Sequence, residues 1–271
     1  MFGRAAMRDF DGYTVVVTGA STGLGRAIAV EVARRGAALV VVNYASSAQE
    51  AEETARLVEA EGAKAALVQG DVAIDEDCKK IVAAAASTGR IDALFNNAGV
   101  TKFAPNHADL DAVNADDFLR LYSVNVVGAF QMVRAARALL EAAPQPGAVV
   151  NTASIAGVVG NGSSVPYAAS KGAMTTMTLS LARALGPNIR VNAICPGFID
   201  TPWFSKVMDD ERTERLRAAS KAATPLKVAS TAEDVAASAV FFASPASRHV
   251  TGETLLIDGG LHLGGASLRL R

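Results

Sequence analysis

Short runs of apolar and β-branched residues alternate with longer stretches whose apolar positions recur at helical spacing, from Thr14 almost to the C-terminus. The runs predict strands over Thr14–Thr18, Ala38–Asn43, Lys64–Gln69, Asp92–Asn96, Gly147–Thr152, Arg190–Ile194 and Thr254–Ile257. Most are continuously apolar, as in VVVNY and ALFNN, which is how strands covered on both faces read in a parallel sheet. Between them SSAQEAEETARLVEAEG predicts an amphipathic helix, with Ser46 or Ser47 as N-cap and Gly62 just past its end. Asp75–Ser87, Asn114–Ala142, Tyr167–Leu185, Phe204–Ser220 and Thr231–Ala243 also suit helices. No Pro/Gly/Ser linker divides the chain and no repeat appears. The expectation is one doubly wound α/β domain over residues 1–271, with a short extension at 1–11 and a tail at 261–271.

Half of the 271 residues are hydrophobic, enough for a sizeable core. Lysine plus arginine number 26 against 27 acidic residues, so no strong field recommends nucleic acid or a membrane as partner. A small-molecule ligand fits better. Cys78 and Cys195 stand far apart with no histidine or cysteine at metal-ligand spacing, so neither a disulfide nor a metal site is expected. The opening MFGRAAMRDFDGY carries charges where a signal peptide needs an apolar run, and no stretch of about 18 apolar residues follows. A cytoplasmic protein is the expectation.

After the first strand comes TGASTGLG, with Gly19, Gly23 and Gly25, and then the helical run RAIAVEVARRG. Strand, glycine turn and helix start form the context of a dinucleotide site: glycines let the backbone approach a pyrophosphate, whose charge then faces unpaired N–H groups. The spacing is Gly-x-x-x-Gly-x-Gly, which by itself is also met where glycines merely turn a strand into a helix. Asn43 lies 18 residues past Gly25, at the strand end where a carboxylate would hold the ribose hydroxyls of NAD. Asparagine removes the charge that repels a 2′-phosphate, which favours NADP(H) over NAD(H), helped by the hydroxyls of Ser46 and Ser47. Arg26 is a candidate partner for that phosphate and, equally, a plain helix residue.

Further on stand Ser154, Tyr167 and Lys171. Tyr167 and Lys171 are four apart and share a helix face. A phenol titrates near 10 in water, and a nearby ammonium favours the phenolate, which makes a usable acid/base. Ser154 ends a strand on the same sheet edge and is placed to donate a hydrogen bond to a substrate oxygen. Taken singly, each has a bland reading as a cap or as part of an amphipathic helix.

TGASTGLG, the NNAG of Asn96–Gly99, Asn125 in YSVNVVG, Ser154, YAASK and the Pro196–Gly197 pair occur in that order. Together they resemble the short-chain dehydrogenase/reductase family, from about Tyr13 to Gly260. The resemblance implies a Rossmann-type seven-stranded parallel sheet of order 3-2-1-4-5-6-7, helices on both faces, and a catalytic tetrad of Asn125, Ser154, Tyr167 and Lys171. It also implies a cofactor site. Gly19, Ser21, Thr22, Gly23, Leu24 and Gly25 would face the pyrophosphate, and Asn43, Tyr44, Ala45 and Ser46 the ribose. Asp71 and Val72 would meet the adenine, and Asn97 and Ala98 the adenosine ribose and neighbouring backbone, with Gly99 beside them. Tyr167 and Lys171 would reach the nicotinamide ribose, and Pro196, Gly197, Ile199 and Thr201 its carboxamide. Asn125 would interrupt a helix and hold a water linked to the lysine.

The implied activity is hydride transfer between NAD(P)(H) and a carbonyl or secondary alcohol, with Tyr167 moving the proton. Phe198, Trp203, Phe204 and Met208 are expected either as an apolar lid or as helix packing, with Asn161–Val165 and Thr101–Asp111 as further walls. His107 reads as a surface loop residue. VVVNYA and TPL resemble β-ketoacyl carrier-protein reductases and Arg183 suits an acidic carrier, but LLEAAPQPGAV lacks the basic residues such enzymes carry. A small ketone, sugar, polyol or cyclic alcohol fits as well. A cofactor-sensing regulator is the alternative from another class, although it would have lost the tyrosine or lysine. The resemblance implies a homotetramer, with a dimer as the alternative, through the outer faces of Asn114–Ala142 and Tyr167–Leu185.

Overall fold

The computed structural model describes residues 8–201, 203 and 209–264. Its strands are β1 (Thr14–Val17), β2 (Leu39–Tyr44), β3 (Lys64–Gln69), β4 (Ala93–Asn96), β5 (Gly147–Thr152), β6 (Ile189–Pro196), β7 (Ile199–Asp200), β8 (Ser230–Thr231) and β9 (Thr254–Ile257). Seven of them form one sheet in the order β3-β2-β1-β4-β5-β6-β9, every pair parallel. This is the doubly wound Rossmann-type sheet that the sequence implies. A second sheet, unforeseen, pairs the two-residue strands β7 and β8.

The continuous apolar runs are explained by the strand pleat, which sends successive side chains to opposite faces. Val15 and Val17 pack on one side with Val40, Val42 and Phe95, beneath Ile28 and Val32 of α1 (Gly23–Arg34) and Val235 and Val240 of a late helix, Ala232–Ala243. Val16, Val41, Leu94 and Val149 face the other side, against α3 (Asp75–Ala83) and α5 (Ala129–Glu141). Each such valine or leucine contributes roughly 1.5–3 kcal/mol by burial. α2 (Ala48–Ala60) adds Ala51 and Val58 to the first face.

The expected helix Asn114–Ala142 is interrupted. α4 (Ala115–Tyr122) runs into a π-helical turn, Ser123–Gly128, before α5 begins. Asn125 lies fully buried in that turn and spends its amide outside the helix: Oδ1 accepts Val100 N–H at 2.8 Å, and Nδ2 donates to Val100 O and Ser170 Oγ at 3.0 Å each. The helix widens where these bonds pull it. A short α6 (Ala156–Val159) precedes α7 (Val165–Leu185), which Ser164 caps by accepting Tyr167 N–H.

Of the expected helix Phe204–Ser220, residues 204–208 lie outside the described residues, Phe204 and Met208 among them, and 210–220 belong to α8 (Asp210–Ala223), which Asp209 caps. The last is α9 (Ala232–Ala243). A buried polar brace fixes α7 to the sheet. Asn96 Nδ2 donates to Asn151 Oδ1 at 2.9 Å, Asn151 Nδ2 to Thr178 Oγ1 at 2.9 Å, and Thr178 to Met174 O.

Candidate active site

The glycine loop lies where β1 ends, and close packing explains its composition. A Cβ on Gly25 would stand 2.3 Å from Gly19 O, and one on Gly19, whose φ is +60°, would stand 2.8 Å from Ala98 Cα. Asn97 Nδ2 donates to the carbonyls of Thr18 and Gly19, and the Thr18 hydroxyl accepts from Asn97 and Ala98 N–H at 3.0 Å. Thr22 caps α1 in extended backbone without a side-chain bond, so the first N–H groups of the helix stay open to an anion. Leu24 is buried beneath them, and Ser21 is part-buried. A backbone cradle that excludes Cβ atoms, beside an open helix N-terminus, fits the pyrophosphate of a dinucleotide.

One expected cofactor contact, Asn43, and one open candidate, Arg26, are engaged within the protein. Asn43 is 1% exposed and faces inward: Oδ1 accepts Gly19 N–H at 3.2 Å while Nδ2 donates to Gly70 O at 2.9 Å and Val68 O at 3.3 Å. Its amide shapes the glycine loop and is not turned to the ribose end. The groups displayed there are Tyr44, Ala45, Ser46 and Ser47, none charged. Arg26 is likewise engaged, donating to Ser21 O, Thr54 Oγ1 and Glu50 O, so it ties the loop to α2 rather than standing free for a phosphate.

Asp71 is exposed at the end of β3, and its Oδ1 accepts Ala73 N–H. Val72 is buried, its carbonyl accepting from Gln131 Nε2. Gly128 is a glycine because a Cβ there would meet Val72 at 2.7 Å.

Ser154, Tyr167 and Lys171 converge at the same edge of the sheet. Lys171 is 4% exposed, has no carboxylate partner among the described residues, and donates to Thr152 O at 2.6 Å. Its Nζ lies over the Tyr167 ring, 5.7 Å from the centroid. Burial pushes the Tyr167 phenol up to about 12, against the pull of a hydrogen bond from Ser154, and brings Lys171 down to about 8. The Ser154 hydroxyl accepts Ala156 N–H at 3.1 Å, which turns it toward Tyr167. Asn125 and Lys171 meet above Gly99, where a Cβ would stand 3.3 Å from Asn125 Oδ1 and 3.6 Å from Lys171 Nζ. Cys195, considered in the sequence only as a disulfide or metal candidate, is buried beside Ser154 and Lys171, and burial raises its thiol to about 11.

Pro196 ends β6 and Gly197 follows it. Gly197 N–H donates to Ile257 O, and a Cβ there would clash with Asp258 at 2.8 Å. Ile199 continues into β7, and Thr201 packs on the glycine loop, 3.4 Å from where a Gly23 Cβ would be. The segments expected at the nicotinamide and at the pyrophosphate therefore touch. The two expected walls are joined: the Thr101 and Ser163 hydroxyls bond, Ala104 N–H donates to Ser163 O, and His107 Nε2 lies 3.2 Å from Gly162 O. His107 is thus a strut between loops. Beside it opens an apolar pocket of about 170 Å³ that reaches Leu110, Phe118 and Val165. Trp203 is 40% exposed.

A family model described as Enoyl-(Acyl carrier protein) reductase matches residues 19–262. L-rhamnose 1-dehydrogenase (NAD(P)(+)) of Sphingomonas sp. is 39% identical over 259 residues, covering 95% of this chain and 99% of that protein. 3beta-hydroxysteroid dehydrogenase 1 of Eggerthella lenta is 37% identical over 257 residues, covering 94% and 95%. A short chain dehydrogenase of Burkholderia cenocepacia J2315, solved in complex with NADP, superposes with a TM-score of 0.83 at 33% identity, covering 94% and 99%. The chain belongs to the short-chain dehydrogenase/reductase family. It is an oxidoreductase that works between a carbonyl and an alcohol carbon with a nicotinamide cofactor.

Proposed function

We propose that this enzyme interconverts a small-molecule ketone or aldehyde and its alcohol with NADP(H), using Tyr167 as acid/base, Ser154 to orient the substrate oxygen, and Lys171 and Asn125 to support the tyrosine. The observation that carries the reading is the single helical turn on which a phenol held near 12 lies against an ammonium brought to about 8. At neutral pH the phenol keeps its proton and the ammonium keeps its charge. Tyr167 is then ready to give a proton to a carbonyl oxygen that Ser154 also contacts, and Lys171 stabilises the phenolate left behind.

A bound nicotinamide supplies the hydride in reduction and takes it in oxidation. Its dinucleotide would rest on Gly19, Ser21, Thr22, Gly23, Leu24 and Gly25, with Asp71, Val72, Asn97, Ala98 and Gly99 along one side. Pro196, Gly197, Ile199 and Thr201 would close the far end. The preference for NADP(H) over NAD(H) rests on the uncharged surface of Tyr44, Ala45, Ser46 and Ser47, which offers a 2′-phosphate no repulsion. Relatives of similar identity are named for a sugar and for a steroid, so the family fixes the bond that reacts. The walls around Tyr167 fix the molecule.

A homotetramer accords with two separate sets of exposed apolar side chains: Leu119, Val127, Phe130 and Leu179 on one flank, and Phe241 and Leu255 on another. Two buried free thiols accord with a reducing, cytoplasmic setting, and among the described residues no helix is long and apolar enough to cross a membrane. The test is the initial rate of NADPH and NADH oxidation over a panel of ketones, sugars, steroids and β-ketoacyl thioesters. Turnover that prefers NADPH supports the proposal, and cofactor binding with no turnover on any carbonyl overturns it.

A further inference from the structure

Arg190 stands at the start of β6, on the sheet edge opposite the glycine loop, and is 8% exposed. A buried guanidinium normally has a carboxylate partner. Arg190 has none within ion-pair distance among the described residues. Its Nη1 alone is engaged, donating to Phe242 O at 2.9 Å, Ser247 Oγ at 3.0 Å, Ser247 O at 3.1 Å and Val250 O at 3.3 Å. Nε and Nη2 bond to no described residue, and neither is sealed from solvent. They belong to a side chain that lines a pocket of about 50 Å³ shared with Tyr13, Asp92, Gln145, Ser244 and Arg248.

The lining defines what would fill the pocket. The exposed Arg248 adds a second guanidinium at the mouth, and Gln145 adds an amide. The Tyr13 hydroxyl makes no bond with a described residue. Asp92 Oδ2 accepts from Thr14 N–H at 2.8 Å and Arg90 Nε at 3.0 Å, whereas Oδ1 accepts from no described residue. A guanidinium edge with free N–H groups suits an oxyanion, and a free carboxylate oxygen beside it suits a ligand that carries a proton of its own. Hydrogen phosphate has both properties and sulfate only the first.

We propose that this pocket is a binding site for a small protonated oxyanion, hydrogen phosphate above all, held by the free edge of Arg190 and by Arg248 and donating to Asp92. The site is separate from the cofactor site, since Tyr13, Asp92 and Arg190 precede or begin strands whose opposite ends carry Gly19, Asn97 and Pro196.

The test is thermal unfolding of the full chain with NADP+ saturating, so that phosphate cannot report on the glycine loop. Inorganic phosphate, sulfate and chloride are compared at matched ionic strength. Phosphate at roughly ten times its dissociation constant is expected to raise the Tm by ~3 °C, with a smaller rise for sulfate. Arg248→Ala and Gln145→Ala replace exposed side chains and leave the fold intact; Arg248→Ala is expected to remove most of the rise and Gln145→Ala to weaken it. Absence of a phosphate-specific rise in the parent protein, or an undiminished rise in Arg248→Ala, overturns the site. An equal rise with sulfate overturns the role given to Asp92.

Discussion

The ammonium of Lys171 lies over the ring of Tyr167, 5.7 Å from its centroid, yet donates to the carbonyl of Thr152 at 2.6 Å. The lysine is held by the strand that ends in Ser154's loop, and under the proposed mechanism it would act on the phenol through space. Both groups are buried, and burial favours the neutral form of each.

That arrangement sets a pH dependence. Carbonyl reduction needs a protonated Tyr167, secured up to about 12, and a charged Lys171, lost above about 8. Reductive kcat/KM is therefore expected to fall as pH rises through about 8. Alcohol oxidation needs the phenolate, which a phenol held up to about 12 supplies only at higher pH, so the oxidative rate is expected to rise above the interval in which reduction falls. Lys171→Arg, which stays charged, should move the reductive fall to higher pH. A parent profile flat well into the alkaline range would contradict the role of Lys171.

Gly25→Ala places a Cβ 2.3 Å from Gly19 O, against backbone that Asn43 and Asn97 hold fast. The loop must open to admit it. A loss of about 1–3 kcal/mol in stability is expected, with cofactor affinity weakened by about tenfold or more, read by chemical denaturation and by fluorescence titration of NADPH. Gly62→Ala, whose Cβ would meet nothing within 4 Å, should leave cofactor affinity unchanged.

Ala45→Asp installs a carboxylate on the exposed end of β2. Like charges a few ångströms apart in partly screened surroundings repel by roughly 1–4 kcal/mol. NADPH affinity is expected to fall by about tenfold or more while NADH affinity holds or improves, measured as a ratio of the two KM values. An unchanged ratio would place the 2′-phosphate elsewhere.

α8 has no fully buried residue, and Arg217 fastens it to the segment after β6 by a two-pronged bond to Asp200, at 2.6 and 2.9 Å. Asp200→Ala is expected to raise the substrate KM several-fold with a smaller change in kcat, because Asp200 adjoins Thr201, which packs on the glycine loop, and is bonded to Arg217 rather than to Tyr167. Stability should change by no more than about 1 kcal/mol, since the pair is partly exposed. A fall in kcat at constant KM would show instead that the pair shapes the reacting groups.

Much of this was legible in the chain. Runs such as TVVV and LVVVNY mark buried parallel strands because both faces of each are covered, and the observed bounds of β3, β5 and β9 coincide with the expected ones. Other features depend on contacts that no local pattern announces. Asn43 sits at the expected strand end, but the pleat turns its side chain inward, and one position along a strand decides the face. The interruption at Asn125 was implied by the family resemblance, but its form, a π-helical turn, follows from bonds to Val100 and Ser170, residues distant in sequence. Thr18 and Thr152 hold the site through a hydroxyl and a carbonyl whose neighbours are known only once β1 and β4, and β5 and α7, are side by side.

The measurement that bears most directly on the central claim compares Tyr167→Phe with the parent enzyme, in turnover of an active carbonyl substrate and in NADPH binding. Removing one hydroxyl deletes the proton donor and leaves the ring beside Lys171. Acid/base contributions of this kind are worth about 10²–10⁴ in rate. Loss of turnover by about that factor, with NADPH affinity within about twofold of the parent, is the expected result. A variant that retains most of its rate would contradict the assignment of Tyr167, and the acid/base would have to be sought among other groups at this edge of the sheet.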